Sequence, residues 1–177
     1  RASASVVARG GVHRHPCSLN EALVMSFAVA VLLWPVTQGV GGVVAWLQAW
    51  WGAEQPQLGH ETLRSMAAAG TGSFWWWASA ATAVVAAPVA EEWLYRGFLQ
   101  QGLKATGMGV RWSVLLTAAL FALVHWTALP EGSRVTGLLT LLILGIAWGG
   151  LYERTGRILA PAIAHAHHAA AFCHGTQ

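Results

Sequence analysis

The chain has 177 residues, of which 55% are hydrophobic and only 10% are charged. A soluble domain normally carries about 25% charged residues, so this composition indicates an integral membrane protein, and its length suits a single domain. The net charge of +3 is too small to indicate nucleic-acid binding, and the two cysteines form no CxxC metal or redox motif.

Five apolar runs are long enough, or nearly so, to cross a bilayer core that requires about 20 helical residues. They fall at residues 20–50, 74–103, 110–129, 135–152 and 158–173. We therefore predict an all-α fold, a polytopic transmembrane helical bundle of about five spans within the lipid bilayer. Residues 1–18 form a basic amino-terminal flank, and residues 19–177 form one membrane domain. The polar connection at 52–72 could end in a short interfacial helix.

The distribution of Lys and Arg predicts the orientation in the cell membrane. Basic residues are concentrated before the first run and in the connections at 104–111 and 153–157, and these segments alternate with less basic ones. Because cytoplasmic loops are enriched in Lys and Arg, five spans place the amino terminus in the cytoplasm and the carboxyl terminus outside.

The second run contains ionisable residues at a depth where a membrane helix should carry none: Glu91, Glu92 and Arg96. Such side chains cost a few kcal/mol or more and are usually paired, cavity-facing and functional. Glu92 and Arg96 are four residues apart and can pair on one face, while Glu91 points about 100° away from Glu92. We expect a structural Glu92–Arg96 ion pair and a working carboxylate at Glu91. The alternative is a charge cluster at the end of a helix that stops near Pro88.

Histidines on two other runs fall at comparable depths. Counted from the basic end of each run at a rise of about 1.5 Å per residue, Glu91 and His125 lie roughly 20 Å deep and His165 about 12 Å deep. Three ionisable groups on three runs are what a buried site between helices requires. A single histidine is more often a hydrogen-bonded core residue, and only its coincidence with the glutamates favours a site. His168 shares a helix face with His165, and neutral imidazoles can also bind zinc.

The residues that are missing narrow the chemistry. All seven acidic residues are glutamate, so an intramembrane aspartyl dyad and an Asp-supported triad are excluded. Neither the HExxH motif of zinc proteases nor the GxSxG motif of serine hydrolases occurs. If the protein is a hydrolase, its catalytic groups are Glu and His.

Three runs carry EExxxR at 91–96, FxxxH at 121–125 and a histidine at 165 that begins a third motif. In this order the motifs resemble those of the CPBP family, which contains the type II CAAX prenyl endopeptidases and the bacterial Abi-type membrane proteins, over about residues 74–173. The resemblance implies a glutamate intramembrane protease with no essential metal or other cofactor and a membrane peptide or protein as substrate. It implies that Glu91 and His125 activate a water and that His165, with the Asn of the family's HxxxN motif, stabilises the oxyanion.

The third motif departs from the family at its last position, which is Ala169 instead of Asn. Loss of one oxyanion donor typically costs about 10²–10³ in rate. His168 could substitute, because an imidazole N–H can donate. Two other functions stay open: a catalytically impaired binding or bacteriocin-immunity protein on the same fold, and a metal-dependent membrane enzyme or carrier that uses the histidines.

Overall fold

The computed structural model describes residues 17–51 and 70–174, with side chains described as far as residue 171. In this part of the chain all regular structure is helical. The helices are α1 (Leu19–Trp50), α2 (74–105), α3 (Val110–Val124), α4 (Arg134–Thr155) and α5 (Leu159–His174), and a 3₁₀ turn (Glu131–Ser133) precedes α4. The predicted all-α fold is confirmed, and each apolar run corresponds to one helix. The interfacial helix predicted in the 52–72 connection lies outside the described residues.

Helix α1 is anchored at both ends against the ends of α4. It begins with a capping box, in which the Ser18 hydroxyl accepts from the Glu21 N–H at 3.3 Å and the Glu21 carboxylate accepts from the Ser18 N–H at 2.8 Å. Arg157, just after α4, donates to the Cys17 carbonyl at 2.6 Å. At the other end, Gln48 donates to the carbonyl of Gly132, just before α4, at 3.0 Å. Helix α1 therefore runs antiparallel to α4.

Helix α2 carries the paired glutamates and is unbroken from residue 74 to residue 105, but its winding changes along its length. Two π-helical stretches, Thr82–Ala86 and Trp93–Gln100, flank an α-helical stretch, Ala87–Glu92. The first lies directly before Pro88, which lacks an N–H, and local π adjustment is one way in which membrane helices accommodate proline. The charge cluster is therefore not at a helix end, and the alternative that the helix stops near Pro88 is wrong.

The second π-helical stretch has a consequence for the polar face of α2. Positions four apart in an α-helix drift by about 40° per step. A π-helix, with its i→i+5 hydrogen bonds, has more residues per turn than an α-helix, so each residue turns through a smaller angle and the drift is reversed. As a result Pro88, Glu92, Arg96 and Gln100 all lie buried along α2.

Helices α3 and α4 pack closely because α4 has glycine at two contact positions. A Cβ on Gly145 would lie 3.0 Å from the Ala118 Cβ, and a Cβ on Gly149 would lie 3.0 Å from a Val114 methyl group. The same two helices supply the large side chains of the core cluster. Its members come from four helices: Ala22, Phe121, Leu144, Trp148, Leu151, Ala160 and Ala164.

Helix α3 is shorter than the sequence predicts. The apolar run extends to residue 129, whereas the helix ends at Val124 with His125 as its C-cap. The reason lies in the cap itself, where the His125 Nδ1 lies 2.7 Å from the Phe121 carbonyl and the backbone turns before Pro130. Histidine 125 is therefore placed at the end of a helix and not within one.

The length, composition and surface of these helices are those of a membrane protein. Two helices, Leu19–Trp50 and Glu131–Thr155 with its 3₁₀ start, are long and apolar enough to cross a bilayer, and Val110–Val124 is apolar but shorter. Many large apolar side chains, tryptophans among them, are exposed on the outer faces of the helices. Such faces suit a hydrocarbon surrounding. The five-span topology itself stays a prediction.

Candidate active site

A buried ion pair lies at the centre of the polar cluster. The Arg96 Nε and the Glu92 Oε2 are 3.0 Å apart, and both side chains are fully buried. The contact is an ion pair and not an aligned hydrogen bond. This is the pairing that the four-residue spacing predicted. Arg96 compensates the charge of Glu92, because a buried charge without a partner is strongly destabilising.

Arg96 also connects α2 with α3 and α4. Its Nη2 donates to the Gly145 carbonyl at 2.9 Å. The guanidinium carbon lies 5.4 Å from the centre of the Phe121 ring and 5.8 Å from that of Trp148. Both distances fall within the range of cation–π attraction. The guanidinium is therefore held from three sides.

His165 of α5 lies between the two glutamates. Its Nδ1 is 3.1 Å from the Glu92 Oε1, and its Nε2 is 3.8 Å from the Glu91 Oε2. Since a carboxylate only accepts, the Nδ1 of a neutral His165 carries the hydrogen that binds Glu92. The Nε2 then faces Glu91 with its lone pair, or with a second hydrogen when the ring is protonated. The Nε2 of His165 therefore lies next to the Glu91 carboxylate, at a separation longer than a hydrogen bond.

Exposure distinguishes the two glutamates. The Glu91 side chain is 29% exposed, whereas that of Glu92 is fully buried. Glu92 already contacts Arg96 and His165, so its oxygens are occupied within the protein. Glu91 is the carboxylate of the pair that an external molecule can reach.

His125 lies at the edge of this cluster. Its Nδ1 donates to the Phe121 carbonyl at 2.7 Å, which leaves the Nε2 of the neutral ring as a hydrogen-bond acceptor. The Phe121 ring contacts both imidazoles, with its centre 4.9 Å from that of His125 and 6.1 Å from that of His165. Within the described residues, His125 forms no ion pair or hydrogen bond with Glu91. The structure thus brings Glu91, Glu92, Arg96 and His165 into contact and places His125 one aromatic ring away.

The model of the type II CAAX prenyl endopeptidase Rce1-like family matches residues 73–171, more than half of the chain. The chain belongs to this family. No significant match was found among curated proteins or among solved structures. The matched range holds all three motifs, and the family supports a CAAX-type intramembrane protease fold.

The departure of this Rce1-like chain from the HxxxN motif lies on α5. His168 is buried, one helical turn beyond His165, and its ring lies 6.1 Å from that of Trp34 of α1 in an edge-on contact. His167 is exposed and contacts Phe27 of α1 in the same edge-on way. Ala169 offers no side-chain donor. The buried histidine that follows His165 along α5 is therefore His168, whereas His167 is exposed.

The histidines do not gather into a metal centre in the described part of the chain. Among residues 17–51 and 70–171, no group of three or more His, Cys, Asp or Glu side chains has the geometry of a metal site. The side chain of His174 lies outside the described atoms.

Sequence reasoning missed one side chain of the cluster, Trp148 of α4. Its indole is 1% exposed and lies parallel to the His165 ring, with centres 3.9 Å apart and an interplanar angle of 20°. The chain has eleven tryptophans, and tryptophan in membrane proteins is enriched at the membrane–water interface. The residue type therefore did not single out Trp148. One sequence feature could have identified it: Trp148 lies between Gly145 and Gly149, and these two glycines mark the face of α4 that packs against α3.

Proposed function

We propose that this Rce1-like protein is an intramembrane endopeptidase, which hydrolyses a peptide bond of a membrane-associated or lipid-modified substrate with a water activated by glutamate and histidine. The observation that carries the proposal is the partly exposed Glu91 carboxylate, which lies beside His165 and is backed by the buried Glu92–Arg96 pair. The proposed setting is a five-span bundle in the cell membrane with the amino terminus in the cytoplasm.

In this proposal Glu91 is the general base. Glu92 is neutralised by Arg96 and oriented by His165, so its charge is already compensated. Among the described residues Glu91 forms no ion pair with Lys or Arg, and its partly exposed side chain can be reached from outside the protein. A carboxylate within hydrogen-bond reach of a water can remove its proton during attack.

The proposed hydrolysis proceeds through a tetrahedral intermediate. The water oxygen attacks the carbonyl carbon of the scissile bond, one water proton passes to Glu91, and a tetrahedral oxyanion forms. Collapse of the oxyanion breaks the C–N bond, and the proton held by Glu91 passes to the leaving amine. His165 lies beside Glu91, with its Nε2 3.8 Å from the carboxylate, and its Nδ1 hydrogen-bonds Glu92. His125 offers an Nε2 acceptor that orients the water.

The oxyanion requires a preorganised donor, and in this chain the family Asn is replaced by Ala169. We assign this role to His168, since it follows His165 by one helical turn and its burial holds it in a water-poor surrounding. Donors in such surroundings stabilise developing charge more strongly than they would in water. The supporting residues of the proposed site are therefore Glu92, Arg96 and His168.

The test compares membranes that contain wild-type protein or the Glu91→Gln variant. New peptide termini that appear with wild type and not with Glu91→Gln, mapped by mass spectrometry, would identify both activity and substrate. Glu131→Gln is the matched control, because it removes the charge of an exposed glutamate. Cleavage that persists in Glu91→Gln at the wild-type rate would refute the role of Glu91.

A second function, favoured by one observation, is a non-catalytic binding or immunity protein on the same fold. Ala169 lacks the family's side-chain donor, and both ring nitrogens of His165 face carboxylates. Under this alternative, wild type and Glu91→Gln would protect cells or bind a partner equally well, and neither would yield a cleavage product.

A further inference from the structure

We infer that Trp148 is a positioning residue for His165: its indole face fixes the plane of the imidazole so that each ring nitrogen points at a different glutamate. The inference starts from the parallel contact between the two rings, whose centres are 3.9 Å apart at an interplanar angle of 20°. The placement of the ring is independent of the proposed protease function, and its effect on turnover rests on that function.

The contact restricts the one rotation that would disrupt the site. The His165 ring turns about its Cβ–Cγ bond, a torsion with a broad and roughly two-fold preference. A turn out of the observed plane would drive the ring edge into the indole that covers one of its faces. A packed face therefore holds the Nδ1 at 3.1 Å from Glu92 and the Nε2 towards Glu91.

Trp148 is itself held in place on other sides. Phe121 meets its ring edge-on, with centres 5.9 Å apart, and the Arg96 guanidinium lies 5.8 Å from its ring centre. The glycines at 145 and 149 allow α4 to approach α3 at van der Waals distance on either side of it. The indole is thus a rigid surface and not a mobile neighbour of the site.

The indole N–H takes no part in this support. Among the described residues the Trp148 Nε1 is buried and has no hydrogen-bond partner. Most buried tryptophans do satisfy this donor. The aromatic face is therefore the functional part of Trp148 towards His165, and phenylalanine, which keeps a flat face and lacks the N–H, should preserve most of the effect.

The direct test observes the His165 ring by NMR in the full-length protein in lipid nanodiscs, with ¹⁵N- and ¹³C-labelled histidine and a His165→Gln sample for assignment. A ring stacked on an indole has its protons shifted upfield. We expect this shift and a single Nδ1–H tautomer in wild type and in Trp148→Phe, and loss of both in Trp148→Leu. An unshifted or tautomerically mixed His165 in the wild type would overturn the inference, whether or not the protein cleaves peptides.

The kinetic test asks whether the loss of the stack affects turnover in particular. Because a misplacement of about 1 Å can cost about 100-fold in rate, we expect Trp148→Leu to lower kcat by roughly 10- to 100-fold with KM unchanged. Trp148→Phe should stay within about threefold of wild type by the same reasoning. Leu144→Ala opens a cavity in the same buried cluster of α4 and is the control for packing, with an unchanged kcat expected.

The outcomes separate the two claims. An equal decrease of kcat in Trp148→Phe and Trp148→Leu would show that stacking on His165 does not cause the decrease. An equal decrease in Leu144→Ala would show the same. A shifted His165 ring in a wild-type protein that cleaves nothing would leave the placement standing and would refute the proposed protease function.

Discussion

Replacement of Arg96 by methionine should strongly destabilise the protein, because it leaves Glu92 buried without its cation. The two charged atoms are 3.0 Å apart and fully buried. At an effective dielectric constant of about 20, two unit charges at this distance attract by about 5.5 kcal/mol. Measured losses on breaking buried ion pairs are about 3–5 kcal/mol, which we take as the expected decrease in the free energy of unfolding. The donated bond to the Gly145 carbonyl is lost in the same substitution.

The assay is thermal unfolding of the purified protein in detergent or nanodiscs. For a chain of this size each kcal/mol shifts the midpoint by about 2–4 °C, so Arg96→Met should unfold roughly 6–20 °C below wild type. Lys104→Met is the matched control, because it breaks the Lys104–Glu153 pair, whose side chains are 28% and 18% exposed. Partly exposed pairs contribute about 0–1 kcal/mol, so this variant should stay within a few degrees of wild type.

A double variant tests the cause of the loss. If the unpaired charge of Glu92 is responsible, then Glu92→Gln introduced into Arg96→Met should recover a large part of the midpoint. Equal midpoints for Arg96→Met and Lys104→Met, or no recovery in the double variant, would refute the reasoning that the cluster depends on charge compensation.

Two further predictions concern α5 and α4. His168→Ala should lower kcat by about 10²–10³, as loss of an oxyanion donor does. His167→Ala is the control and should leave kcat unchanged, because His167 is exposed. Ala169→Asn added to His168→Ala should raise kcat again by at least about tenfold. If the initial cleavage rate does not recover in the double variant, His168 is not the oxyanion donor. Gly145→Ala should destabilise the protein by about 1–3 kcal/mol because its Cβ would meet α3 at 3.0 Å. Gly150→Ala, which has open space around its Cβ, should leave stability unchanged or raise it by up to about 1 kcal/mol, since Ala is the better helix former. Equal midpoints for the two glycine variants would contradict the close α3–α4 packing.

The sequence predicted the helices well because membrane spans depend on a simple property, the length of an uncharged apolar run. It also predicted the Glu92–Arg96 pair, since helical geometry places residues four apart on one face. The depth of His165 along its run was consistent with a shared site. The depth of a residue along a helix does not predict the direction in which its side chain points around the helix axis. The contact of His165 with both glutamates could therefore be seen only in the structure.

Other features depend on interactions that no local pattern encodes. The first π-helical stretch of α2 lies just before Pro88, and residue propensities do not distinguish either stretch from α-helix. The early end of α3 follows from the His125 side chain binding the Phe121 carbonyl, although the apolar run continues. Trp148 has no charge or motif to single it out, and its stacking on His165 depends on the approach of α4 to α5.

The most direct test of the proposed chemistry is the initial rate of peptide cleavage by the purified Glu91→Gln variant, measured beside wild type and Glu131→Gln. The probe is a quenched fluorescent peptide with a farnesylated cysteine before three carboxyl-terminal residues, together with any substrate identified in membranes. We predict cleavage by wild type and by Glu131→Gln, and a loss of at least about 10²-fold in Glu91→Gln with an unchanged unfolding midpoint. Equal cleavage by all three proteins would contradict it.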